Sequence, residues 1–221
     1  MNFVTRCALT ILFAFSAVVL GDAAQAANDI SKINGSVKIE PGQQVGDVST
    51  VNGSVTIGAG ARAAEVETVN GSLKIEDKAV VGSAETVNGS ITVGVEAEVQ
   101  KGVEAVNGSL TLRQGAKVAG GLENVNGSML VEGARVDGGI ETVTGDIRLA
   151  TGSHVTGGIH VEEQKSSWWK SKDSRNPRIT IEQGVTVEGP LHFERAVDLY
   201  VAPGVTLPPV EGVQPQRFTL Q

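Results

Sequence analysis

The chain has 221 residues, a formal net charge of −7 and a single cysteine. One cysteine excludes a disulfide framework and a cysteine-based zinc site, and the acidic balance argues against a nucleic-acid partner. Glycine contributes 28 residues without a three-residue period, and aromatic residues make up only 4% of the chain. This composition disfavours both collagen and helical bundles.

The first 26 residues have the pattern of a secretory signal peptide. A short start with one positive charge precedes an apolar run from Cys7 to Leu20, and Ala24-Gln25-Ala26 supplies the small-residue cleavage pattern. The run is short for a membrane span, which disfavours an N-terminal anchor. We therefore predict cleavage near Ala26 and export to the periplasm or the cell surface.

A repeat occupies most of the remaining chain. Asn-Gly-Ser recurs in steps of 18 or 19 residues, and within each repeat apolar residues, mostly Val, Ile and Leu, lie six apart. Such residues favour strands, so three six-residue steps per repeat predict an all-β, single-domain, three-sided parallel β-solenoid. About nine coils of 18–19 residues are expected. One inward column is predicted to contain Ile57, Ile75, Val93, Leu112 and Val131.

The six-residue series also includes Val51, Val69 and Val87, each directly before an Asn-Gly-Ser motif, and predicts that they face inward too. The solenoid is assigned to residues 27–207. A polar stretch at 162–176 interrupts the pattern, which then resumes, so this stretch is interpreted as an inserted loop. Residues 208–221 begin with Pro208-Pro209 and are predicted to form a cap or a frayed tail, because proline cannot donate to a ladder.

Steps such as Gly115-Ala116-Lys117-Val118-Ala119-Gly120-Gly121 resemble those of the bactofilins, a polymer-forming cytoskeletal family, over about Ile33 to Leu207. The resemblance implies a right-handed β-helix that assembles end to end without nucleotide. The predicted signal peptide departs from that cytoplasmic family, and the recurrent Val-Asn-Gly-Ser is similar to secreted, adhesin-like β-solenoid proteins. Hexapeptide-repeat acyltransferases share the six-residue period, but they form a left-handed coil and need a catalytic histidine and a groove between subunits.

Two columns of polar residues follow the repeat. Asparagine amides stacked from coil to coil are expected to form a hydrogen-bonded ladder at the turns, where Asn-Gly favours tight geometry. The ladder residues are Asn34, Asn52, Asn70, Asn88, Asn107 and Asn126. Five glutamates form a second column, which is interpreted as a solvated row of carboxylates or, alternatively, as a weak Ca²⁺ site. These glutamates are Glu67, Glu85, Glu104, Glu123 and Glu141.

The chain has three histidines, His154, His160 and His192. The segments around His160 and His192 match, which predicts that these two residues stack on adjacent coils with their side chains outward. Such a pair could bind a transition metal weakly. No third ligand is evident from the sequence, so a solvent-facing pair is favoured.

The inserted loop carries the most function-like cluster. Two adjacent tryptophans with flanking cations suit a protein, a glycan or an anionic membrane surface. The alternative is that both rings fold back on the solenoid. The loop residues are Trp168, Trp169, Lys165, Lys170, Lys172 and Arg175.

No catalytic constellation and no cofactor other than Ca²⁺ is predicted. The leading hypothesis is a non-enzymatic structural or interaction protein of the cell envelope that binds a partner, or itself, through its edge or its loop. The alternatives are an acyltransferase-like enzyme and an extracytoplasmic polymer like the bactofilins.

Overall fold

The computed structural model describes residues 28–163 and 175–219. Every regular element in these two ranges is a β-strand, and the strands pair in parallel. The chain winds into a parallel β-solenoid of about 10 turns, and most paired residues of successive turns lie 18 or 19 positions apart. The predicted all-β solenoid is therefore confirmed.

The strands lie in three stacks along the solenoid. Stack 1 contains the strands that lead into the Asn-Gly-Ser turns and continues to the last turn. Its strands are β1 (Ile30–Asn34), β3 (Val48–Asn52), β5 (Arg62–Asn70), β7 (Val80–Asn88), β10 (Val103–Asn107), β13 (Leu122–Asn126), β16 (Ile140–Thr142), β19 (Ile159–Val161), β22 (Leu191–Phe193) and β24 (Val210–Gly212).

Stack 2 follows the turns and forms a second sheet. Its strands are β2 (Val37–Ile39), β4 (Val55–Ile57), β6 (Leu73–Ile75), β8 (Ile91–Val93), β11 (Leu110–Leu112), β14 (Ser128–Glu132), β17 (Asp146–Ala150), β20 (Arg178–Ile181), β23 (Asp198–Val201) and β25 (Gln216–Thr219). Stack 3 combines the first residues of β5 and β7 with five short strands, which are β9 (Glu98–Val99), β12 (Lys117–Val118), β15 (Arg135–Val136), β18 (His154–Val155) and β21 (Thr186–Val187).

Inward side chains of all three stacks form one continuous core. The predicted column on stack 2 is present, because its five members pair in register and each is at most 1% exposed. The residue before each of these positions is on the outer face, as the two-residue period of a strand requires. The core is therefore a set of aliphatic ladders.

The inward position next to each Asn-Gly-Ser turn differs from the prediction. Val51, Val69 and Val87 are on the outer face, and the residue before each of them is a buried threonine. The hydroxyl of Thr68 donates to the carbonyl of Gly53 at 2.9 Å. Because this hydrogen bond satisfies the hydroxyl, threonine can occupy the core at little cost, and a pattern built on apolar residues alone misplaces the register here.

The connection between stacks 3 and 1 changes along the solenoid. In the early turns, the facing inward positions of stacks 3 and 1 are three apart in sequence, as Val81 and Ala84 are, and β7 is continuous across them. From Val99 to Val103 the separation is four residues, and two separate strands, β9 and β10, replace the continuous one. The extra residue explains the slip in the six-residue series and produces a corner in the later turns.

The ladder continues across the predicted insertion. Ile147 of β17 pairs with Ile179 of β20, and His160 of β19 pairs with His192 of β22, so 32 residues separate partners that are elsewhere 18 or 19 apart.

Residues 208–219, assigned to a tail from the sequence, contribute β24 and β25. Prolines are accommodated here because their carbonyls still accept hydrogen bonds, as Pro209 does from the Leu191 amide at 2.9 Å. The described ranges contain no helix of the length and apolarity that a bilayer crossing would need.

Candidate functional site

The six asparagines form the predicted amide ladder. From Asn52 onward, each side-chain amide donates to the side-chain oxygen of the asparagine one turn earlier, at 3.0–3.1 Å. At the end of the series, the hydroxyl of Thr144 donates to Asn126 Oδ1, so the degenerate seventh motif closes the ladder. The side chains are exposed, and their hydrogen bonds to one another account for the asparagines structurally.

The turn glycines are required by close contact between turns. A Cβ atom on Gly71 would lie 1.9 Å from the carbonyl oxygen of Gly53, and the same distance separates a Cβ on Gly89 from the Gly71 oxygen. Neither glycine has a positive φ. Close contact with the preceding turn, and not a positive φ, is therefore the reason for glycine at these two positions.

The five glutamates of the Glu column are paired in register on the outer face of stack 1. They are not uniformly solvated. Glu85 is only 9% exposed, and its Oε2 atom is buried without a hydrogen-bond partner among the described residues. An ion pair between Lys101 Nζ and Glu65 Oε1, at 2.8 Å, spans two turns beside it.

Burial changes the acidity of this column. Desolvation, followed by repulsion from Glu104, Glu67 and Glu65, raises the pKa of Glu85 to about 8. Desolvation and the charges of Glu65 and Asp47 raise the pKa of Glu67 to about 7. Near neutral pH these two carboxyls therefore carry protons for much of the time, which opposes cation binding at them. Calcium binding to the Glu column remains a prediction.

The same column continues beyond Glu141 as His160, His192 and Glu211. The predicted stacking of His160 and His192 is present, with ring centroids 5.0 Å apart in an edge-to-face arrangement. The rings border a surface cavity of about 230 Å³ at the corner between stacks 3 and 1, lined by residues such as Gly158 and Pro190.

Two carboxylates that the sequence analysis did not include complete this cluster. Ligand atoms of His160, His192 and Glu194 lie within 4.8 Å of one another, and so do those of Glu141, His160 and Glu162. The signal was present in the sequence as His-x-Glu, at 160–162 and again at 192–194. Residues two apart on a strand face the same way, so each histidine brings a glutamate to the same surface.

His154 is apart from this cluster, on stack 3. Its Nε2 atom is 2.6 Å from Glu188 Oε1, and its Nδ1 atom is 3.5 Å from a guanidinium nitrogen of Arg135. The three histidines therefore divide into one pair and one separate residue.

Most of the predicted loop cluster lies outside the described residues, which is the case for Trp168, Trp169, Lys165, Lys170 and Lys172. Arg175 is described, and its two terminal nitrogens donate to the two carboxylate oxygens of Asp146, each at 2.8 Å. Burial alone would raise the pKa of Asp146, but the hydrogen bonds from Arg175 and from the Arg178 amide lower it overall. The guanidinium of Arg175 is thus engaged with the solenoid at the end of the insertion.

The two terminal turns carry cations at positions that are apolar or threonine in the turns next to them. Lys32 is paired with Thr50 of the next turn, and Arg217 is paired with Leu199 of the turn before it. Both cations are exposed, and Arg217 lines an open cavity of about 470 Å³ together with Val205 and Leu207.

Comparison with known proteins gave no match to any family model, curated protein or solved structure.

Proposed function

We propose that this protein is an exported, non-enzymatic structural and interaction protein of the cell envelope, which works as a single solenoid whose charged terminal turns oppose association. The predicted signal peptide supports export. Detection by mass spectrometry of a mature N-terminus near Ala27 in protein from its native host would support this part, and an intact Met1 would contradict it.

The observation that carries the proposal is the charge at the two terminal turns. A parallel solenoid presents open strand edges at both ends, so further turns or a second copy can add to them. Lys32 and Arg217 place a positive charge at an inward position of each end. Two copies that met end to end would have to bury Lys32 on stack 1 or Arg217 on stack 2, which is costly without a partner of opposite charge.

Exposed apolar side chains at both ends of the solenoid would favour association if the charges were absent. The large apolar side chains that are most exposed in the described residues are Ile33 in the first turn and Val213 and Phe218 in the last. Charge beside such surface is a known way of opposing edge-to-edge association. This argument favours a discrete solenoid over the end-to-end polymer that the bactofilin resemblance implies.

The test is to remove the terminal charges. Lys32→Thr with Arg217→Leu gives each position the residue of the neighbouring turn. In sedimentation velocity, we expect the wild-type chain to remain monomeric over a wide concentration range and the double variant to form larger species.

The matched control is Lys74→Thr with Arg62→Leu, which removes the same two residue types from exposed positions away from the terminal turns. It should stay monomeric. Filaments formed by the wild-type chain would contradict the proposal, as would a double variant that stays monomeric like the control.

A further inference from the structure

We propose that His160, His192 and Glu194 bind one divalent transition-metal ion of the Zn²⁺ class on the outer face of stack 1. Two imidazoles and one carboxylate are a donor set that zinc uses in proteins, with water completing the coordination. This binding would add to the structural role proposed above and does not depend on it.

The spacing of the three residues fits a shared ion. Their ligand atoms are within 4.8 Å of one another. Ligand atoms on one tetrahedral zinc ion are roughly 3.4 Å apart, given bond lengths of about 2.1 Å. Small side-chain rotations close the difference, because His160 and His192 already lie on paired strands with their rings in contact.

The polar atom at the centre of the cluster points to a ligand independently of this spacing. Nε2 of His160 is buried and has no hydrogen-bond partner within the described structure. Oε1 of Glu194 is 3.4 Å from this nitrogen. A buried nitrogen that lacks a hydrogen bond incurs a desolvation cost, and a coordinate bond to a metal would offset that cost.

The surroundings hold the ligands in place. Oε2 of Glu194 accepts a hydrogen bond from the Glu163 amide at 3.0 Å, which orients its Oε1 atom toward His160. Nδ1 of His192 is 3.6 Å from Oε2 of Glu211, which is beyond hydrogen-bond distance. A small rotation of the Glu211 side chain would bring it to this nitrogen, where a carboxylate supports a metal-binding histidine. Arg195, a neighbouring cation, directs its guanidinium to the carbonyl of Val143.

Further carboxylates favour a cation at this place over an anion. Glu141 and Glu162 lie on the other side of His160, in the second overlapping cluster. Imidazole nitrogens favour zinc and related ions, whereas calcium prefers oxygen ligands only. We therefore expect selectivity for Zn²⁺ over Ca²⁺, unlike the Glu column, whose ligands are all oxygens.

The experiment is a Zn²⁺ titration of the full chain without a polyhistidine tag. Calorimetry measures the affinity and stoichiometry, and the imidazole ¹⁵N resonances report which histidines bind. Because the chain has only three histidines, each signal can be assigned. We expect one Zn²⁺ per chain and shifts of the His160 and His192 signals, with the His154 signal unchanged and no competition from Ca²⁺.

Variants distinguish Zn²⁺ binding at this site from weak Zn²⁺ binding to any histidine of the chain. His192→Ala and Glu194→Gln should each weaken Zn²⁺ binding tenfold or more, whereas the control His154→Ala should bind like wild type. If His192→Ala fails to fold, His192→Gln retains a polar side chain of similar size and should show the same loss. The proposal is overturned if Zn²⁺ leaves the His160 and His192 signals unshifted, or if His154→Ala loses as much affinity as His192→Ala.

Discussion

At the scale of single residues, Glu85 is the clearest case of an ionisable group held in an unfavourable environment. Its carboxyl is almost completely buried, between glutamates of the turns before and after it. The solenoid imposes this neighbourhood, because a residue type repeated at one position of successive turns is placed directly beside its copies. The consequence is a dependence of stability on pH.

The sign follows from the raised pKa. Folding raises the pKa of Glu85 from 4.5 to about 8, so the folded state binds the proton more tightly than the unfolded state. Its stabilising contribution is complete below pH about 4.5 and is lost as the pH rises through about 8. We expect the free energy of unfolding to fall by on the order of 3 kcal/mol between pH 5 and pH 8, with a smaller loss from Glu67 in the same direction.

Replacing Glu85 by Gln should remove most of this slope and stabilise the chain at pH 8, as measured by urea denaturation at a series of pH values. Glu98→Gln makes the same change of charge at an exposed position of stack 3 and should keep the wild-type slope. Equal slopes for wild type and Glu85→Gln would show that the carboxyl is solvated.

At the scale of the element, the turn between stacks 1 and 2 depends on glycine because successive turns nearly touch there. Gly71→Ala would place its Cβ 1.9 Å from Gly53 O and 2.5 Å from the carbonyl carbon, so the backbones would have to separate. We expect a loss of about 3 kcal/mol in the free energy of unfolding, measured by chemical denaturation.

Gly139→Ala is the control for this substitution. Its Cβ would meet its nearest atom at 3.5 Å, an ordinary contact, and its φ is not positive. A change of less than about 1 kcal/mol is expected. Similar losses in both variants would mean that glycine matters here only for the flexibility of the unfolded chain.

How far the sequence predicts the elements depends on how each inward position is filled. Stack 2 is predicted correctly, because aliphatic residues occupy both of its inward positions in nearly every turn. Stack 1 is predicted with the wrong residue inward, because Thr50 and Thr68 are buried and polar while Val51 and Val69 are partly exposed. Thr50 and Thr68 can be buried because their hydroxyls donate to glycine carbonyls of the preceding turn. These hydrogen bonds are visible only in the structure.

The candidate metal site divides in a similar way. The stacking of His160 and His192 follows from the local match between their segments, and the structure confirms it. Columns that persist over many turns do not include Glu162 and Glu194, so the repeat pattern does not predict their contributions. A site formed by two adjacent turns gives a short signal, here a His-x-Glu pair.

At the scale of the whole molecule, the ladder continues in register on both sides of the insertion. The strands on both sides of it pair with the same neighbours that an uninterrupted turn would have. We expect Trp168→Ala with Trp169→Ala to leave the thermal midpoint within a few degrees of wild type, and to abolish binding to vesicles that contain anionic lipid.

Trp168→Phe with Trp169→Phe keeps two aromatic rings and should retain binding. A large drop in the thermal midpoint of the alanine variant would instead indicate that the rings pack on the solenoid. Retained binding by the alanine variant would contradict the role that the sequence predicts for the loop.

The pairing of each turn with its immediate neighbours has a consequence for how the chain folds. The strand pairs among the described residues join consecutive turns, so a completed turn offers the edge on which the next can form. A chain exported as proposed above, with its first turns in front, could therefore acquire structure progressively, before its last turns have crossed. The insertion lengthens one of these closures from 18 to 32 residues, which adds only about 0.5 kcal/mol of loop entropy, so growth of the ladder is slowed little at that point.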